Sequence, residues 1–482
     1  MSNEMDRRRF FATALGAGAK LAAATALPPA TADSVIWIWL PGGIAQTDTW
    51  DPKSHTPYRA GMRGSELLGT CESIHTAADG VRIGSGLESI AKVMDRGCIL
   101  RSLTSETKFG AVHLKAQHYL NTGYLFPAGV KAPGIGAVVG RTLGRRDRNV
   151  PAYIYIGRDI DTSDEEKQFI SEYIGRGFYG PEHAPFMIPD PGSGLATLAA
   201  AAGMSRERLE LRQRILLRAS ELQTGVKDSP QAALWLRNME EARAMMDSPV
   251  KAAFDYHSQE RPETLRAYQP AIGPEQVLDK TYYYGHRFGH GVLLARRLVE
   301  RGARFIQVEY QYGPFKGFDM HDHGRDRMIE MKRQIDRPIA QFIGDLDERG
   351  LLKRTLVVIA TEFGRTIASS RAAGREADGF AENHTGEDLT IDTESMYGFH
   401  GHFSSSNAML FFGGGFRQGL AYGRTANRHP MTAVEKPVSI VDVHATIYRA
   451  LGIPPDKHYV TEGRPFYVTK DGKGVPVAGL LV

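Results

Sequence analysis

Cysteine is almost absent from this chain of 482 residues, which carries only Cys71 and Cys98. Two thiols cannot build a disulfide framework, so stability has to come from a packed core. A single Cys71–Cys98 bridge and a pair of free buried thiols both remain open. Long apolar runs are missing as well. The most continuous one, Ala12 to Leu27, is interrupted by Gly16, Gly18 and Lys20 and is too short and weak for a stable membrane span. Charge of one sign is not in excess: 59 Lys and Arg against 55 Asp and Glu leave a formal net charge of +4. That removes the electrostatic case for nucleic acid or an acidic membrane as main partner. With 42% hydrophobic and 24% charged residues and no internal repeat, the chain is no coiled coil, collagen or disordered polymer.

What is present begins with an address. Arg7-Arg8-Arg9-Phe10-Phe11 precedes the weak apolar stretch, and Ala30-Thr31-Ala32 supplies a small-x-small cleavage site. Residues 1–32 therefore read as a signal peptide whose Arg-Arg-x-Phe-Phe core resembles the twin-arginine signal. This predicts a periplasmic or secreted protein that meets the twin-arginine translocase during export and keeps no transmembrane anchor afterwards. An uncleaved amphipathic anchor is the alternative.

Beyond residue 32, short β-branched runs alternate with helical patterns. Strands are expected at 35–40, 98–103, 152–156, 304–308, 355–360 and 408–412. Helices are expected at 289–300, at 326–349 with Pro338 kinking or restarting it, and at 441–451. Strands separated by helices imply an α/β fold, a mostly parallel sheet covered on both faces. An Ala-, Leu-, Glu- and Arg-rich stretch suggests a helical insertion at about 195–285, and the polar segment at about 368–400 reads as a loop or lid.

In such sheets, sites form beyond the C-terminal strand ends. Carboxylates and imidazoles gather there in this sequence: Asp48 and Asp51 after the first strand, His113 and His118 after the second, Asp319, His321, Asp322 and His323 after the fourth, Glu362 and Arg365 after the fifth, and His400 and His402 before the last. Carboxylate oxygen and imidazole nitrogen are the ligands that zinc and manganese take, and zinc comes first, with manganese or calcium as alternatives. Asp319-x-His321-x-His323 is the densest such cluster. Asp51 before Pro52 reads as a turn residue and His444 as a structural one. Glu362, at the end of an apolar strand, needs a partner, either a metal or Arg365.

Taken in order, Gly42-Gly43 with Asp48-Thr49-Trp50-Asp51-Pro52-Lys53, His113 with Thr122-Gly123-Tyr124, Gly317-Phe318-Asp319-Met320-His321, Thr361-Glu362-Phe363-Gly364-Arg365-Thr366, His402 before Gly413-Gly414-Gly415, and Asp442-Val443-His444-Ala445-Thr446 resemble the domain-of-unknown-function 1501 family. That family is regarded as sulfatase-like, within the alkaline-phosphatase-like superfamily. The resemblance implies a three-layer α/β/α domain and a metal-dependent hydrolase of phosphate or sulfate esters. It implies one metal held by Asp319, His323 and His402, with His321 the position the family stresses. A second metal would take Asp48 and Glu362, but Phe363 stands where a histidine is expected. His113 stands nine residues before Thr122-Gly123, where sulfatases carry Cys or Ser, and no Cys-x-Pro-x-Arg motif exists. An imidazole there could attack phosphorus directly, ligate a metal or act as base toward water, with Ser102, Thr104, Ser105 and Thr107 upstream as alternative hydroxyls; the expected role of His113 is ligand or base. Arg365, Lys108 and Lys115 are candidates to neutralise an anionic ester. The partner would be a small anionic ester or a sulfated or phosphorylated glycan. The missing nucleophile leaves a second reading, a non-catalytic protein that binds an anionic glycan or a partner at the cell envelope.

Overall fold

The computed structural model describes residues 29–105, 112–126, 130–157, 174–198, 203–222, 229–310, 317–321, 323–367, 390–398 and 400–482. The signal-peptide motif, Lys108, Asp322 and most of the expected lid lie outside them.

One nine-stranded sheet organises the chain. Its strands are β1 (Ser34–Trp39), β2 (Gly97–Thr104), β3 (Tyr153–Ile156), β4 (Phe186–Ile188), β5 (Phe305–Glu309), β6 (Thr355–Ala360), β9 (Asn407–Phe412), β10 (Leu420–Tyr422) and β11 (Val438–Ser439). A separate ribbon is made by β7 (Gly364–Ile367) and β8 (His400–Phe403). The helices used below are α1 (His113–Thr122), α2 (Ile135–Leu143), α3 (Arg206–Leu222), α4 (Pro230–Met246), α5 (Gly285–Glu300), α6 (Gly324–Glu348) and α7 (Ile440–Ala450).

The sheet order is β10-β2-β9-β6-β1-β5-β3-β4, with β11 also on β2. All pairings are parallel except those of β9, which runs antiparallel between β2 and β6. The expectation that 408–412 is a parallel strand is corrected here, because a hydrophobic run carries no sign of its direction.

Every residue of β1 is buried. Its alternation explains why: Ile36 and Ile38 pack into a core with Phe288 and Val292 of α5 and Ile335 and Ile339 of α6, while Val35, Trp37 and Trp39 face Leu120 of α1, Val138 of α2 and Ile447 of α7. The result is three layers, helix, sheet and helix. α6 runs on through Pro338 as one helix, so it does not restart there. α3 and α4 occupy the stretch between β4 and β5 where the helical insertion was expected. Cys98 is fully buried in β2, Cys71 is part-exposed, and both are free thiols, which closes the choice against a bridge. No helix among the described residues is long and apolar enough to cross a membrane.

Candidate metal centre

Register brings the site together. Trp39 at the end of β1 lies level with Glu309 of β5 and Ala360 of β6. The chain segments Leu40–Gly43 and Thr361–Glu362 therefore leave the sheet side by side. Gly42, at φ +112, is pressed so closely on the loop after β5 that a Cβ would stand 2.2 Å from the Asp319 nitrogen. Only glycine fits both the angle and the space. Across the ribbon, Arg365 of β7 pairs directly with His402 of β8.

Asp319 is the centre. Three imidazole Nε2 atoms converge on its Oδ1: His113 at 3.2 Å, His321 at 3.2 Å and His402 at 3.5 Å. The Arg365 guanidinium reaches the same oxygen. Burial alone would raise the Asp319 pKa, yet the surrounding His113, His321 and His402 hold its carboxyl far below the usual range.

Behind His113 stands Glu362, fully buried, whose Oε1 accepts from His113 Nδ1 at 2.7 Å. The same carboxylate accepts from Gly42 N at 2.9 Å and Gln117 Nε2 at 3.2 Å, and from the Thr361 hydroxyl at 3.1 Å. His113 and Gln117 sit four residues apart on one face of α1, at its positive N-terminal end, so the helix presents both to one anion. Burial pushes the His113 ring down, but the two carboxylates win and lift it to about 9. Burial holds His402 down at about 4 in spite of Asp319. His321 Nδ1 donates to the His400 carbonyl at 3.0 Å. Both His113 and His321 therefore have their Nδ1 proton engaged and turn Nε2 to the centre, the arrangement that metal-binding imidazoles use. Phe363 packs against His113 and His402 at ring-centroid distances of 4.8 and 4.7 Å.

Arg365 is fully buried. Its five N–H donors are all spoken for: Nε to Gly43 O, Nη1 to Met320 O and His400 O, and Nη2 to Gly42 O and Asp319.

The donor set itself tests whether a divalent ion suits this place. His113, Asp319 and His402 form a cluster whose ligand atoms all lie within 4.8 Å of one another. Two neutral-capable imidazoles and one carboxylate are the ligands of a zinc-type site. A match to a family described as a protein of unknown function, DUF1501, spans residues 32–481. The chain belongs to the DUF1501 family. No curated protein matches it. Among solved structures, this DUF1501 protein is similar to a lipoteichoic acid synthase from Listeria monocytogenes, with 9% identity over 92% of this chain and 76% of that one and a TM-score of 0.38. It is also similar to a sulfatase from a Pseudoalteromonas species (12% identity, 88% and 68% coverage, TM-score 0.34) and to a phosphonate monoester hydrolase from Silicibacter pomeroyi (12%, 93% and 76%, TM-score 0.31).

Of the residues singled out from the sequence, the DUF1501 protein brings His113, Asp319, His321, Glu362, Arg365 and His402 together. Asp48 stands apart from them: fully buried, it accepts from Thr70 N at 2.9 Å and Thr70 Oγ1 at 2.8 Å, and it faces His400 Nε2 at 3.5 Å. Burial opposes its ionisation, but the His400 contact keeps its pKa lowered. His323 is exposed at the N-cap of α6 in left-handed conformation. Asp51 lies at a bend directly after the turn Thr49–Trp50, and its buried carboxylate pairs with Lys53 at 3.0 Å. His444 Nε2 meets the Leu120 carbonyl at 2.7 Å, a structural contact. Sequence reasoning passed over Gln117 and gave no role to the His400 carbonyl. The i, i+4 spacing of Gln117 from His113 was the one signal available for the former.

Proposed function

We propose that this chain is an exported, metal-dependent hydrolase of phosphate or sulfate esters. The observation that carries the reading is the convergence of three imidazole Nε2 atoms on one Asp319 oxygen. In this reading His113, Asp319 and His402 hold one divalent ion, with His321 at hand beside them. When bound, the ion supplies Lewis acidity toward an ester oxygen.

The rest is done by the chain. Glu362 fixes the His113 tautomer and makes its Nε2 a better donor. Arg365 pins the Asp319 carboxylate and four backbone carbonyls, and so acts as a positioning residue rather than as a clamp on the ester. Asp319, His321 and His402, with side chains 12%, 22% and 18% exposed, form the accessible side from which an ester approaches. Phe363 closes the other side with a dry ring.

Native mature protein should contain about one equivalent of zinc or manganese per chain. It should turn over at least one member of a panel of aryl phosphates, phosphodiesters and aryl sulfates when assayed with zinc, manganese and calcium. Absence of metal after native export, together with no turnover across the panel, would leave the non-catalytic binding protein as the better reading.

A further inference from the structure

A second cluster of imidazoles lies on other elements. His286 and His290 fall four residues apart in the first turns of α5. That spacing places both rings on one helix face, within reach of a common ligand. The structure turns both toward the same object, the side-chain amide of Gln269. Gln269 Oε1 accepts from His286 Nδ1, and Gln269 Nε2 donates to His290 Nε2 at 3.2 Å. One small neutral carboxamide thus bridges the two nitrogens. A third imidazole, His257, packs edge-on against His290 with centroids 5.4 Å apart. His257 and His286 are exposed and His290 is half-buried, so the group is open to solvent.

We propose that His286 and His290 form a surface site for a divalent transition ion of the zinc and copper class, in which the ion takes the place of the Gln269 amide between them. Two histidines at i, i+4 on a helix chelate such ions because one cation satisfies both lone pairs at little cost in side-chain order. Nitrogen-only donors select zinc, copper or nickel and leave magnesium and calcium aside, since those prefer oxygen. The tautomers are nearly set. His290 Nε2 already acts as an acceptor, which leaves its proton on Nδ1. His286 has only to carry its proton on Nε2 of an exposed ring. The displaced amide loses two hydrogen bonds that water replaces. This site is independent of the Asp319 centre and does not rest on the proposed hydrolase activity.

The test uses the full protein, stripped with chelator and dialysed against zinc. Wild type is expected to bind one equivalent more than the His286→Ala/His290→Ala double variant. The same loss is expected in an Asp319→Asn background, where zinc at the Asp319 centre is already weakened. Calcium dialysed in parallel should show no difference between wild type and the double variant. His286 is exposed and His290 half-buried, so a single cooperative melt in the absence of metal, shifted only slightly from wild type, is expected and will show that the variant is folded. Equal zinc stoichiometry in wild type and double variant would overturn the proposal, as would a calcium equivalent lost together with the two histidines.

Discussion

Glu362 acts on the centre from behind, through the ring of His113. Replacing it by Gln keeps the shape and removes the charge that orients and polarises the imidazole. Glu362→Gln is expected to weaken zinc binding by about 10–100-fold, read by competition with a chromophoric chelator. Unchanged affinity would refute the positioning role. The same contacts set a pH dependence. In chelator-stripped protein His113 is raised to about 9 from an ordinary value near 6.5. A raised folded-state pKa contributes stability below about pH 6.5, and that stability is lost as pH climbs through about 9. Stripped protein should therefore lose on the order of 3 kcal/mol between those limits, measured by urea unfolding. Zinc affinity should rise over the same window, because the proton on Nε2 competes with the ion. A flat profile in the stripped protein would sink this account. At this scale the sequence showed which atoms are chemically able and hid how they are used. In the sequence Arg365 reads as a cation for an ester or for Glu362, whereas its five donors go to carbonyls of Gly42, Gly43, Met320 and His400 and to Asp319.

Elements place those residues through two close approaches. At the first, Gly42 passes under the loop that carries Asp319, and Gly42→Ala has to push the two chains apart. Loss of more than about 2 kcal/mol is expected, with zinc occupancy falling in parallel. Wild-type melting and metal content in this variant would mean that the crossing is not needed. At the second, the β7–β8 ribbon is tied to the sheet by Arg365. Arg365→Ala strands a buried carboxylate and four carbonyls and should cost about 3–5 kcal/mol. Arg365→Lys should recover only part, since an ammonium has three donors and no planar fork. Full recovery by Lys would reduce Arg365 to a bare charge. Six of the nine sheet strands were legible to within a residue or two, because burial on both faces writes continuous apolar runs; the short β4, β10 and β11 were not. Strand direction, and the pairing of Arg365 with His402 across the ribbon, were not legible, since both depend on contacts between distant segments.

For the whole molecule, a bound ion is linked to folding. Zinc at a hundred times its dissociation constant should stabilise wild type by about 2.7 kcal/mol, and Asp319→Ala should abolish most of that gain in a thermal melt. If chelation leaves the wild-type melt unmoved, the centre holds no metal. Export can be examined at the same scale: Arg7→Lys with Arg8→Lys should leave unprocessed precursor in the cytoplasm. Normal processing of that pair would remove the twin-arginine assignment. The antiparallel insertion of β9 reaches further than geometry. The hydrogen-bonded neighbours of β2 are β9, β10 and β11, which all begin after residue 406. At ribosomal speeds, its apolar run waits roughly tens of seconds for a partner. During that interval both of its edges are open to other chains, the hazard that chaperones exist to cover. His402 arrives on the same late segment, so the candidate ligands His113, Asp319 and His402 can meet only after about five-sixths of the chain has been made. On the proposed reading, loading is a task for a nearly complete polypeptide, and a truncation before His402 leaves both an unpaired β2 and an incomplete donor set.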